Sequence, residues 1–197
     1  MLAHRARPVV RLSVTARILI AGQAPGARVH ASGLPFDDPS GVRLRAWMGV
    51  TPAEFYDDTR IAMLPMGFCF PGNDANGGDL PPRPECAPLW RARAMAEMPR
   101  VQLILLVGRY AQRWHLGAAR GPSLSATVAE WRRHGLESSD GAGAPAMLPL
   151  PHPSWRNTSW LKRNPWFEDD VVPALQAAVR RALSAYDRTD VACQRGD

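Results

Sequence analysis

Four apolar runs punctuate the chain at intervals that leave room for helices between them. They cover residues 17–22, 60–65, 102–108 and 146–151. Short continuous runs such as Ile18-Leu19-Ile20-Ala21 and Leu103-Ile104-Leu105-Leu106-Val107 do not alternate polar with apolar. That is the signature of strands covered on both faces, as in a parallel sheet. The intervening segments change period. Val42 to Met48 spaces its apolar residues by three and four, and Thr51-Pro52-Ala53-Glu54 combines an N-cap, a proline at the first helical position and an acid at the third. Glu85 to Met98, Arg109 to Leu116 and Ser125 to His134 read as helices. So does 166–186, where Val171, Val172, Leu175, Ala178, Val179, Ala182 and Leu183 mark one face. Strands alternating with helices predict a three-layer α/β/α fold with a central, mostly parallel four-stranded sheet.

The Pro- and Gly-rich stretch 71–82 reads as a long loop, a length that usually carries function or motion. Residues 138–145, rich in Gly and Ala, read as a flexible surface loop. The 197 residues suit one domain, expected over 9–187, with flexible tails at 1–8 and 188–197. There are no internal repeats.

Composition narrows the class. Hydrophobic residues make up 46% and charged residues 21%, ordinary for a soluble globular protein. No apolar run nears the roughly 20 residues that span a bilayer. The basic start, Met1 to Pro8, has no apolar segment after it to make a secretory signal, so a cytoplasmic location is expected. A net charge of +6 favours an anionic partner, nucleic acid first. The cations are arginines except for Lys162. Cys69, Cys86 and Cys193 are odd in number and form no CxxC pair, which argues against a disulfide framework and against a metal held by cysteines alone.

The chemistry concentrates in two motifs. Gly22-Gln23-Ala24-Pro25-Gly26 follows the first strand and His152-Pro153-Ser154-Trp155-Arg156 follows the fourth. Loops at the carboxyl ends of parallel strands face one crevice, so the motifs are expected to meet in a single site. The first is no P-loop, since no Gly-Lys-Ser/Thr follows, and it lacks the GxGxxG spacing of dinucleotide binders.

Taken in order, Gly22 to Gly26, Gly33-Leu34-Pro35-Phe36 with Gly41, Phe70-Pro71-Gly72, Leu103 to Gly108 and His152-Pro153-Ser154 resemble the uracil-DNA glycosylase superfamily. The resemblance covers roughly residues 17 to 180 and is nearest the iron–sulfur, family-4-like branch. It implies an enzyme that flips uracil out of DNA and hydrolyses its N-glycosidic bond, leaving an abasic site for base excision repair. On this resemblance Phe36 stacks on the flipped base, unless it packs beneath its own loop. His152 hydrogen-bonds the uracil O2 and stabilises the departing anion. Ser154 grips a backbone phosphate through its hydroxyl or N–H, and Trp155 or Arg156 fills the gap left by the base. Gln23, Ala24, Pro25 and Gly26 line the pocket. Arg156, Lys162 and Arg163, interleaved with Trp155, Trp160 and Trp166, form a DNA-facing strip, the alternative for Trp160 and Trp166 being the core.

Departures from the pattern are specific. Ala24 stands where the best-known branch has the water-activating Asp, and Gln23 where the iron–sulfur branch has Glu. Water activation then falls to Gln23, to Asp37, Asp38 or Asp74, or to substrate electrostatics alone. Pro65 ends the second strand where an Asn should read the uracil edge, leaving Asn73 or Asn76 to substitute. Gly26 replaces the thymine-excluding tyrosine. Cys69 and Cys86 match two cluster ligands, but the N-terminal CxxC is missing, so no metal and no cofactor are expected. No histidine lies in 66–85 to trap product covalently. With Lys162 as the only lysine and better placed for phosphate, a monofunctional enzyme acting as a monomer is the expectation. The alternatives are a weak or inactive member that binds DNA or a damaged base, a glycosylase for another deaminated base, and, least favoured, a Ser154–His152 hydrolase without the Gly-x-Ser-x-Gly elbow.

Overall fold

A computed structural model describes residues 5–134 and 144–194, with side chains of the last helix described to Ser184. Four strands, β1 (Ile18–Ala21), β2 (Ile61–Met63), β3 (Leu103–Val107) and β4 (Ala146–Leu150), form one sheet in the order β2-β1-β3-β4. Every pairing is parallel, with Ile18 opposite both Ile61 and Leu103, and Leu103 opposite Ala146. Alternate side chains explain why the strand runs are continuously apolar. Ile18, Ile20, Met63, Leu105, Val107, Leu148 and Leu150 enter one core. Leu19, Ala21, Ala62, Leu64, Ile104 and Leu106 enter the other.

The first face is covered by α2 (Pro39–Met48) through Leu44, Trp47 and Met48, and by α8 (Val172–Gln194) through Leu175, Val179 and Leu183. The second is covered by α4 (Cys86–Ala96) and α5 (Arg109–Leu116) through Ala87, Ala111 and Leu116. This is the expected three-layer arrangement. The Thr51 signature is realised as a capping box on α3 (Pro52–Phe55), where the Glu54 side chain returns to the Thr51 N–H.

Three features add detail to the sequence expectation. The helix expected over 125–134 is α6 (Leu124–Ala129), capped by Ser123, followed by a separate 3₁₀ turn at Trp131–His134. The C-terminal helix begins with a π turn at Phe167–Val171 and runs on to Gln194, beyond the expected tail boundary at 188. At the other end Arg7 donates from Nη1 to the His30 and Ala31 carbonyls of α1 (Ala27–Ser32) at 2.7 and 2.8 Å. Most of the loop expected at 138–145 lies outside the described residues.

Candidate functional site

The strand order changes direction between β1 and β3, the place where open α/β sheets bind ligands. A cleft of about 570 Å³ opens there at the carboxyl ends of the strands. Gly22, Gln23, Ala24, Pro25 and Gly26 line one side; His152, Ser154, Trp155, Arg156 and Asn157 line the other. The two motifs therefore meet. The Gly22 and Gln23 carbonyls accept the Met66 and Gly67 N–H groups, both at 2.9 Å, which straps the first loop to the chain leaving β2.

His152 is positioned from below and behind. Gly108 follows β3 at φ +79°, a backbone conformation that favours glycine, and a Cβ there would stand in ordinary contact with His152 Cβ, 3.6 Å away. The Gly108 N–H donates to the Leu150 carbonyl at 2.9 Å. The buried Gln112 Nε2 donates to the same carbonyl, also at 2.9 Å. Asn157 Nδ2 donates to the His152 carbonyl at 2.7 Å. The Ser154 N–H donates to His152 Nδ1 at 3.3 Å. With Nδ1 accepting, a neutral imidazole carries its proton on Nε2. Burial holds His152 below the ordinary histidine range, and it outweighs the upward pull of the Asp38 and Asp79 carboxylates. The site thus offers a neutral ring as hydrogen-bond donor.

Phe36 lines the same cleft with its backbone at φ +55°, in the left-handed region that side-chain-bearing residues seldom occupy. Its conformation is held by close neighbours. The Tyr56 hydroxyl donates to the Phe36 carbonyl at 3.3 Å, and the Phe55 ring meets the Phe36 ring edge-on with centroids 6.0 Å apart. A Cβ on Gly41 would come within 1.8 Å of the Phe36 carbonyl oxygen, so only glycine lets α2 pass this close. Asp38 caps α2 by accepting the Gly41 N–H at 2.8 Å.

The remaining expected site residues divide. Ser154 lines the cleft with its N–H committed to His152, leaving the hydroxyl for a ligand. Trp155 is 74% exposed at the rim, and the Arg156 guanidinium lies 5.8 Å from its ring centroid. Lys162 and Arg163 are exposed on α7 (Thr158–Arg163), outside the cleft lining. Trp160 and Trp166 pack against the core, and Trp160 Nε1 donates to Ser125 Oγ at 2.7 Å, so these rings take the core alternative. Asn73 does not line the cleft; its amide donates to Asp79 Oδ1 at 3.3 Å within the 71–82 loop. Asp74 Oδ1 accepts the Asn76 and Gly78 N–H groups, both at 2.8 Å, and is occupied with the loop itself. Pro65 lines the cleft floor.

Several members of the site carry no local signal in the sequence. Asp79 reaches the cleft because the loop folds back on itself through the Asn73–Asp79 bridge. Arg91, 0% exposed, donates from Nη1 to the Leu64 and Pro65 carbonyls at 2.8 and 3.2 Å and so holds the cleft floor from behind. Gly108 does carry a signal, a glycine closing an apolar run where the chain turns at positive φ.

Cys69 and Cys86 are free thiols, and burial pushes Cys69 above its ordinary value. Among the described residues no three His, Cys, Asp or Glu side chains gather to hold a metal, so the donor set does not fit a four-thiolate cluster. No described helix is long and apolar enough to cross a membrane.

The family model described as the uracil DNA glycosylase superfamily matches residues 10–176. That span contains all four strands, both cleft motifs, Phe36 and the helix that Asp38 caps. On this match, over a parallel sheet of the same kind, the chain belongs to the uracil-DNA glycosylase superfamily.

Proposed function

We propose that the protein is a monofunctional DNA glycosylase that releases uracil from DNA by hydrolysis. Superfamily membership supports glycosylase chemistry. The observation that carries the finer reading is the Ser154 N–H donated to His152 Nδ1, which leaves Nε2 as the protonated, donating nitrogen of a neutral ring. A preorganised Nε2–H in a desolvated cleft suits the O2 of a departing uracil anion, in the manner of an oxyanion hole. A pyrimidine extruded from the duplex would stack on Phe36 and lie over the Gly22–Gly26 loop. Gln23, with no acidic group, would orient water or a base edge through its amide.

Trp155 at the rim is the side chain suited to enter the stack where the base has left. The Ser154 hydroxyl and the cations of Arg156, Lys162 and Arg163 suit phosphate contacts, which position without reading sequence. The one lysine, Lys162, is exposed on α7 and not in the cleft lining, which favours water over a lysine Schiff base. We further propose that the enzyme works as a cytoplasmic monomer.

A second reading, a weak or inactive member that binds DNA or a damaged base, draws on Ala24 and Gln23, which leave the first motif without a carboxylate. Single- and double-stranded oligonucleotides bearing one deoxyuridine, treated with protein and then with alkali, separate the two. Breaks at the uracil position are expected. Tight binding with intact strands would favour the second reading.

A further inference from the structure

The proposed hydrolysis needs a group to take a proton from water, and the first motif supplies none. Among the described residues two carboxylates line the cleft, Asp38 and Asp79. Asp38 Oδ1 caps α2 at Gly41, so the place of that carboxylate is set by the helix start. Asp79 is differently placed. The loop that carries it is closed by the Asp74 N–H to the Gly78 carbonyl at 2.7 Å and the Leu80 N–H to the Gly72 carbonyl at 2.9 Å. Asn73 fixes Asp79 Oδ1, while Oδ2 points over the first motif, 3.3 Å from where a Cβ on Gly26 would stand. Glycine at 26 is what leaves that approach open.

The charge balance sharpens the point. Asp57, Asp58, Glu54, Glu85 and Glu130 each pair with an arginine. Asp79 has no ion pair among the described residues, although it stands at the mouth of a cleft in a chain of net charge +6. A bare carboxylate there opposes phosphate binding, so its position is better matched to the reacting sugar than to affinity.

We propose that Asp79 is the general base of the reaction, with Oδ2 accepting the proton of the attacking water and Asn73 holding its carboxylate. This rests on the glycosylase reading above. As the C1′–N1 bond breaks, its electron pair leaves with the base as an anion held by His152 Nε2–H. The water oxygen forms the new bond to C1′ and its proton passes to Asp79, which returns it to solvent or to the released base. A carboxylate facing C1′ also favours the positive charge that develops on the sugar.

The test compares single-turnover release of uracil by wild type, Asp79→Asn, Asp79→Ala and Asn73→Ala. Asp79→Asn keeps an oxygen to accept from Asn73, so the loop stays closed while the base is lost. Release is expected to fall about 100-fold, the lower end for general-base catalysis, with oligonucleotide affinity unchanged or improved. Sodium formate is expected to restore at least about tenfold of the activity of Asp79→Ala, as a diffusible carboxylate replaces the missing one. Asn73→Ala, which only loosens the carboxylate, is expected to lose less than Asp79→Asn. Asp79→Asn within about twofold of wild type, or losses equal to Asn73→Ala with no formate rescue, would overturn the assignment and leave the glycosylase standing. No release by wild type would overturn the parent reading and this one with it.

Discussion

Replacing His115 by glutamine should remove an acid sensitivity built into the cleft floor. His115 Nε2 accepts from Arg91 Nε at 3.0 Å, and Arg91 in turn holds the Leu64 and Pro65 carbonyls. Burial, with the Arg91 charge adding to it, pushes His115 from 6.5 to about 3. Burial alone brings Arg91 down to about 10, so the guanidinium remains charged at neutral pH. Protonated His115 would present an N–H to a donor and a cation to a cation. The sign follows from the protons bound. Between 6.5 and about 3 the unfolded chain binds a proton at His115 that the folded one refuses. Its contribution to stability is therefore complete above 6.5 and is lost progressively as pH falls toward 3. At 1.36 kcal/mol per unit, the loss reaches about 2 kcal/mol near pH 5 and at most about 5 kcal/mol once pH is below the folded value. In His115→Gln the amide would keep an oxygen to accept from Arg91 without titrating. Urea unfolding near pH 7.5 and near pH 5 measures the effect, with other titrating groups cancelling between the two proteins. Wild type should lose about 2 kcal/mol more than His115→Gln over that interval. An equal loss in both would refute the argument that a neutral His115 supports Arg91.

Other perturbations read out the site directly. Gly41→Ala would drive a Cβ into the Phe36 carbonyl, so a loss of about 3 kcal/mol in urea unfolding is expected, together with loss of base release. Unchanged stability would contradict the packing argument. Trp155→Ala removes an exposed ring and should alter stability by less than about 0.5 kcal/mol, while release from double-stranded substrate falls more than release from single-stranded substrate. Equal losses on both substrates would count against a wedge. Arg156→Ala should reduce the slope of log affinity against log salt by about 1, as for one phosphate contact. Because burial keeps His152 neutral below the ordinary histidine range, its donor form persists as pH falls from about 8 to about 6.5, and the release rate should show no histidine titration there.

Much of this architecture is legible in the chain. Ile18 to Ala21 and Leu103 to Val107 announce strands covered on both faces because alternate side chains enter two apolar cores. Once those strands are parallel, the loops that follow them must share a crevice, which brings Gly22–Gly26 and His152–Arg156 together on sequence alone. What stayed hidden depends on contacts between distant residues. Asp79 meets Gly26 only because its loop doubles back through Asn73. Arg91, on a helix of otherwise ordinary pattern, reads as a solvated charge, yet the carbonyls left at the end of β2 draw it inside. Trp160 and Trp166 sit among basic residues in the sequence, but their edge-on packing at 5.8 Å belongs to the core. Helix α7 is too short for periodicity to mark it.

The most direct measurement is single-turnover uracil release by His152→Ala beside wild type, with oligonucleotide affinity determined for both. Loss of a preorganised donor to the leaving anion should lower the rate by about 10²–10³ while affinity stays within about threefold. Release at the wild-type rate without the imidazole would contradict the account.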